Sequence, residues 1–141
     1  MREEFPYPVM TSFQPPWVVV VDDDPDLAET IAEALHTNGW DVTAFADSAT
    51  ALAAVLRRPP ALIICDVEMP GLDGITFSKK VLQTVHQCTV ILMSGTQLSK
   101  EGKSLVAKNS GRCRFYAKPV SMRTLRALLF EFEHCRSRSS V

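Results

Sequence analysis

The sequence predicts a doubly wound α/β domain built on a parallel five-stranded sheet. Three observations carry that expectation. Short apolar runs alternate with helix-periodic segments along the 141 residues, the pattern left by successive βαβ crossovers. The runs at 18–21 and 61–65 are apolar at every position, as strands buried on both faces must be. Several runs end directly in polar residues, namely Asp22-Asp23, Asp66, Ser94 and Lys118.

The elements follow in order. Residues 1–16 carry Pro6, Pro8, Pro15 and Pro16 without apolar periodicity, which predicts a flexible N-terminal tail. The folded domain is expected over 17–134. Its first strand, 18–21, ends in three aspartates. Asp24 suits an N-cap, Asp26 the first turn and Pro25 the first helical position. Leu27, Ile31 and Leu35 recur every fourth residue as one apolar face, and Gly39 suits the C-terminal cap. A second strand is expected over 41–45. Ser48 is the expected cap of a helix running through Leu52, Val55 and Leu56, stopped by Pro59-Pro60.

The third strand, 61–65, leads into Asp66 and an eight-residue loop, 67–74. Asp73 is expected to close that loop rather than to serve as a ligand. A helix over about 75–85, a strand over 90–93 and a weaker helix over 100–108 come next. The fifth strand, 114–117, leads into Lys118-Pro119. A last helix, about 122–133, places Leu125, Leu128, Leu129 and Phe132 on one face. Residues 135–141 are expected as a short basic tail. Five such units fit the flavodoxin-like (βα)5 arrangement with strand order 2-1-3-4-5, in which sites form at the carboxyl ends of the strands near the point where the order reverses.

Composition narrows the function. Apolar residues make up 46% and charged residues 22% of the chain, as in an ordinary globular domain. The net charge of −1 gives no global basic excess for nucleic acid or lipid. The apolar runs are far shorter than the roughly 20 residues of a membrane span, so no membrane crossing is expected. The N-terminus has no apolar core of a secretory signal. Cys65, Cys88, Cys113 and Cys135 form no Cys-x-x-Cys pair, which predicts reduced thiols in a cytoplasmic protein. Charge is unevenly spread: positions 1–75 hold 13 acidic and 3 basic residues, and positions 76–141 hold 3 and 12. His36, His86 and His134 are scattered and not expected to be catalytic.

If the strand order holds, Asp22, Asp23, Asp66, Ser94 and Lys118 converge at one sheet edge. Close carboxylates repel and raise one another's pKa. Lys118 offsets part of that charge, and a hard divalent cation with oxygen ligands would offset more. A carboxylate held beside both is suited to nucleophilic attack on phosphorus, giving an aspartyl phosphate. Ser94 would donate a hydrogen bond to a phosphoryl oxygen, and Gly95 would leave room for the group.

The segments VVVVDDDPD, IICDVEMPGLDG, LMSG and YAKPV, in this order and at these intervals, resemble the receiver domain of two-component response regulators over about 17–133. The resemblance implies a phosphoacceptor at Asp66. It implies metal ligands at Asp22, Asp23, Asp66 and the backbone carbonyl of Glu68, for Mg2+ with Mn2+ as an alternative. It implies a phosphate-binding Lys118 followed by a cis bond to Pro119, and switch residues Ser94 and Phe115. Glu68 and Thr96 match positions that tune self-dephosphorylation in the family. A histidine kinase or a histidine phosphotransfer protein would supply the phosphoryl group.

No helix-turn-helix follows the last helix, so no direct DNA binding is expected. Output would pass to a downstream protein or a homodimer through helix four, strand five and helix five. That face carries Lys100, Lys103, Lys108, Arg112, Arg114, Arg123 and Arg126. Two alternatives stay open. One is a receiver fragment of a longer regulator. The other is a small aspartyl phosphatase of the haloacid-dehalogenase type. For that enzyme Asp22-x-Asp24 has the right opening residues, but Pro25 starts a helix at once and the Asp66 loop is left unexplained. A flavin site is not expected, because no Gly/Ser/Thr-rich phosphate loop follows the first strand.

Overall fold

The apolar runs become strands β1 (Trp17–Val21), β2 (Asp41–Phe45), β3 (Leu62–Asp66), β4 (Thr89–Ser94) and β5 (Cys113–Ala117). Between and after them lie helices α1 (Pro25–His36), α2 (Ser48–Arg57), α3 (Gly74–Thr84), α4 (Lys100–Lys108) and α5 (Met122–Ser139). The computed structural model describes residues 16–37 and 39–139, so nearly all of the expected N-terminal tail lies outside the described residues. The sheet is parallel throughout, in the order β2-β1-β3-β4-β5. That is the expected order.

Strand alternation divides the core in two. Val18 and Val20, with Leu62, Ile64, Ile91 and Met93, face Ala28, Ile31, Ala32 and Leu35 of α1 and Leu125, Leu128 and Leu129 of α5. Val19 and Val21, with Ile63, Cys65, Val90 and Leu92, face Val55 of α2, Phe77 and Val81 of α3 and Leu105 of α4. Val18 through Val21 are all fully buried, which is why β1 reads as an unbroken apolar run.

Several local readings are corrected. Leu27 is exposed and Ala28 and Ala32 take the core positions of α1, because small side chains let the helix lie close to the sheet. The N-cap of α2 is Asp47, whose carboxylate accepts the Thr50 N–H at 3.0 Å. Ser48 is instead buried, donating to the Leu72 carbonyl at 2.6 Å. Leu56 is exposed as well. Helix α5 runs on to Ser139, through most of the segment expected as a tail. No glycine or proline follows Pro119 to stop it. Asp24 caps α1 as expected. Asp73, expected to close the loop, does so as the N-cap of α3, and Gly39 sits at φ +88° just past α1.

Candidate functional site

The strand order reverses between β1 and β3, and the residues that end these strands meet there. Asp22 follows β1 directly, its N–H donating to the Phe45 carbonyl at 3.1 Å. Asp66 is the last residue of β3. Their relative exposures are 1% and 4%, so both carboxyls are sealed between the loops, whereas Asp23 is exposed. Carboxylate oxygens of Asp22, Asp23 and Asp66 lie within 4.8 Å of one another.

Lys118 comes in from the far edge of the sheet, one residue past β5. Its Nζ donates to Asp22 Oδ2 at 3.1 Å and lies 3.1 Å from Asp66 Oδ1. The second contact is an ion pair without hydrogen-bond alignment, so Asp66 Oδ1 is a buried oxygen with no hydrogen-bond partner. The other Asp22 oxygen accepts the Asp24 N–H at 2.9 Å. The Lys118-Pro119 bond is cis, as expected.

Burial is the largest influence on Asp66 and raises its carboxyl above the ordinary range. The Lys118 ammonium pulls it down, and the charges of Asp22 and Glu68 push it up again. For Lys118 burial is again the largest single influence and favours the neutral amine. The Asp22 hydrogen bond, the close ion pair with Asp66 and the charges of both carboxylates together outweigh it, so the ammonium is held above its ordinary value. The site is therefore an acid-rich cleft that one ammonium only partly neutralises. Its donors are all carboxylate oxygens, and one of them is buried and unsatisfied. That set suits a small hard divalent cation such as Mg2+ and not a metal that prefers thiolate or imidazole.

The loop leaving Asp66 is fixed by a close approach. Gly74 starts α3 with its N–H on the Val67 carbonyl at 2.8 Å. A Cβ there would fall 2.1 Å from the Asp66 carbonyl oxygen, so the residue must be glycine. The loop after β4 is held differently. Ser94, fully buried, donates through Oγ to Glu68 Oε2. Thr96 Oγ1 donates to the same oxygen at 2.9 Å, and the Thr96 N–H reaches Ser94 Oγ at 3.0 Å. Burial is the largest influence on Glu68 and pushes its carboxyl up. Hydrogen bonds from Ser94, Thr96 and the Gly95 N–H, with the charge of Lys118, outweigh it and lower the carboxyl below its ordinary value.

Phe115 is partly buried against the β4–α4 side of the core. Beside it opens a groove of about 590 Å3, lined by Gly95, Thr96, Leu98, Lys103, Val106 and Phe115 among others. Not all of the expected basic face is free. Arg112 is spent on the end of α3, donating to the carbonyls of Leu82, Val85 and Cys88, and Arg114 pairs with Glu131 at 3.1 Å. Lys100, Lys103, Lys108, Arg123 and Arg126 are exposed.

The family model described as the response regulator receiver domain matches residues 18–130. The chain belongs to the response regulator receiver domain family. Among curated relatives, this receiver domain is 32% identical over 120 residues to a Mycobacterium tuberculosis protein named "Probable transcriptional regulatory protein TcrX". The match covers 82% of this chain and 50% of that protein. It is 32% identical over 106 residues to the C4-dicarboxylate transport transcriptional regulatory protein DctD of Rhizobium meliloti, covering 75% of this chain and 23% of that one. The chain thus spans half or less of these relatives' length. Among solved structures, the chemotaxis protein CheY4 of Vibrio cholerae superposes with a TM-score of 0.71 at 27% identity. That match covers 84% of this chain and 98% of CheY4.

The receiver domain thus brings together Asp22, Asp23, Asp66 and Lys118, as read from the sequence, and sets Ser94 at the end of the neighbouring strand. Sequence reasoning missed the role of the Glu68 side chain, which was singled out mainly for its carbonyl. Its partners lie 26 and 28 residues away, and no local pattern marks such a contact.

Proposed function

We propose that this chain is a phosphorylation-activated signalling switch that takes a phosphoryl group onto Asp66. The observation that carries the reading is the buried Asp66 carboxylate, with an oxygen lacking a hydrogen-bond partner, between Asp22 and the Lys118 ammonium. A histidine kinase or histidine phosphotransfer protein is the donor. An Asp66 oxygen attacks the phosphorus of its phosphohistidine. The new bond is O–P, the bond that breaks is N–P, and the imidazole leaves with the electron pair and takes up a proton. The Asp22, Asp23 and Asp66 carboxylates and the Glu68 carbonyl would hold Mg2+, with Mn2+ as an alternative, which supplies positive charge beside the phosphoryl oxygens. Lys118 neutralises the same oxygens from the β5 side. Ser94 then donates to a phosphoryl oxygen, and Phe115 moves with it.

Output is proposed to pass by protein contact through α4, β5 and α5, to a downstream protein or a second copy, without direct DNA binding. The exposed lysines and arginines of that face favour an acidic surface. Among the described residues no helix is long and apolar enough to cross a membrane, and a cytoplasmic setting fits the buried thiols of Cys65, Cys88 and Cys113. The greater length of the relatives supports a second reading, a receiver portion of a longer regulator. In that case output would pass to a further domain.

The test is intact mass after incubation with acetyl phosphate and Mg2+, beside Asp66→Asn and a metal-free control. One phosphoryl adduct, absent from both controls, is the expected result. No adduct on folded protein overturns the acceptor role. Continuous phosphate release at enzymatic rates would point instead to a phosphatase.

A further inference from the structure

We propose that the Glu68 carboxylate is a latch that holds the Ser94 hydroxyl away from the acceptor, so that Glu68 and a phosphoryl group on Asp66 compete for one proton. A serine hydroxyl has a single proton to donate. In this structure that proton is directed at Glu68 Oε2. The same oxygen accepts from Thr96 Oγ1 at 2.9 Å, and the two hydroxyls lie 3.1 Å apart. The Thr96 N–H closes the triangle on Ser94 Oγ at 3.0 Å. One carboxylate oxygen therefore gathers both hydroxyls of the loop that follows β4. Hydroxyl-to-carboxylate bonds are charge-assisted and about twice as strong as neutral ones.

The latch is built to be released. Ser94 is fully buried, so once freed from Glu68 it turns toward acceptors within the site and not out into bulk water. Glu68 is exposed and can swing outward without disturbing the core. It lies two residues past Asp66, and its charge already disfavours ionisation there. A phosphoryl group on Asp66 would repel the Glu68 carboxylate and attract the Ser94 proton. Both forces drive the same exchange. In the resting state Glu68 acts as a positioning residue: it sets how much of the protein has Ser94 turned away. What displaces the latch rests on the proposed phosphoacceptor role, whereas the resting contact does not.

The test compares wild type, Glu68→Gln and Glu68→Ala, each with and without Ser94→Ala. Two quantities are read: backbone amide shifts at positions 94–96 in metal-free protein, and affinity for beryllofluoride with Mg2+. Glu68→Ala is expected to move the resting amides toward their beryllofluoride-bound positions. It should also tighten beryllofluoride about tenfold, the worth of one charge-assisted hydrogen bond. Glu68→Gln, which keeps an acceptor but no charge, should fall between. In the Ser94→Ala background the gain should shrink below about twofold, because the contact is already lost. Equal gains from Gln and Ala in both backgrounds, with the resting amides unmoved, would overturn the latch and leave Glu68 as a nearby charge only. Failure of wild type to bind beryllofluoride would count against the phosphoacceptor role. The latch would still be decided in metal-free protein, where Glu68→Ala should move the 94–96 amides and Ser94→Ala should abolish that movement.

Discussion

At the β1–β3 end of the site Asp22 and Asp66 are buried, paired with one ammonium, and followed by a loop that a single added Cβ would break. At the β4–β5 end Gly95 and Thr96 are exposed, a Cβ on Gly95 would meet nothing within 4 Å, and an open groove runs beside Phe115. The two ends share one sheet and one rim, yet one is wedged and the other has room. Chemistry at phosphorus needs groups held to a fraction of an ångström, and a response needs an element with two places to go. The fold separates these demands by strand position. The acids sit where the sheet order reverses, and the adaptable loop follows β4, on the other side of β3 from β1.

A pair of glycines breaks or sharpens this contrast most directly. Gly74→Ala should destabilise the fold by about 3 kcal/mol or more, because the added methyl meets backbone that cannot yield. Gly95→Ala should stay within about 0.5 kcal/mol. Urea midpoints of the two variants are the measurement, and equal losses would mean that the two loops are equally constrained.

A smaller effect, of opposite sign, is expected at the acceptor. Burial holds the Asp66 carboxyl above its ordinary value of 3.8, so the fold disfavours its charged form. That penalty is absent at low pH, appears as pH rises above 3.8 and is complete beyond the raised value. Asp66→Asn should therefore stabilise metal-free protein at neutral pH, with the gain vanishing below 3.8. A gain that grew on acidification would contradict the buried-charge account.

The core behind both ends should give no signal at all. Burial pushes the Cys88 thiol up to about 12 and the Cys113 thiol up to about 11, so neither forms thiolate near pH 8. Peptide mapping after brief iodoacetamide treatment should find Cys65, Cys88 and Cys113 unmodified until denaturant is added. Labelling of Cys113 in native protein would show that β5 opens readily, and the edge would then be looser than its packing suggests.

The fold was legible because parallel strands buried on both faces leave unbroken apolar runs, as in the four valines of β1. The acidic residues of the site were legible for a related reason: they stand at the ends of those runs, and the sheet order decides where the ends meet. Helix faces were less so. A four-residue spacing put Leu27 on the inner face of α1, but the packed stripe is Ala28, Ile31, Ala32 and Leu35, since closeness to the sheet selects small side chains. The Glu68–Ser94–Thr96 cluster was hidden for another reason. It joins two loops across β3 and β4, and long-range side-chain contacts leave no period in a sequence.

The two tryptophans of the chain sit in opposite surroundings. Trp17 is partly open, with the Arg58 guanidinium 4.5 Å above its ring. Trp40 is 7% exposed, its ring centroid 6.2 Å from that of Phe132 in α5. An indole shielded from water emits at shorter wavelength than a wetted one, so the seating of α5 is written into the colour of Trp40. A partner that lifts this helix would announce itself as a red shift in unlabelled protein, while Trp17 serves as an internal standard on the opposite side of β1.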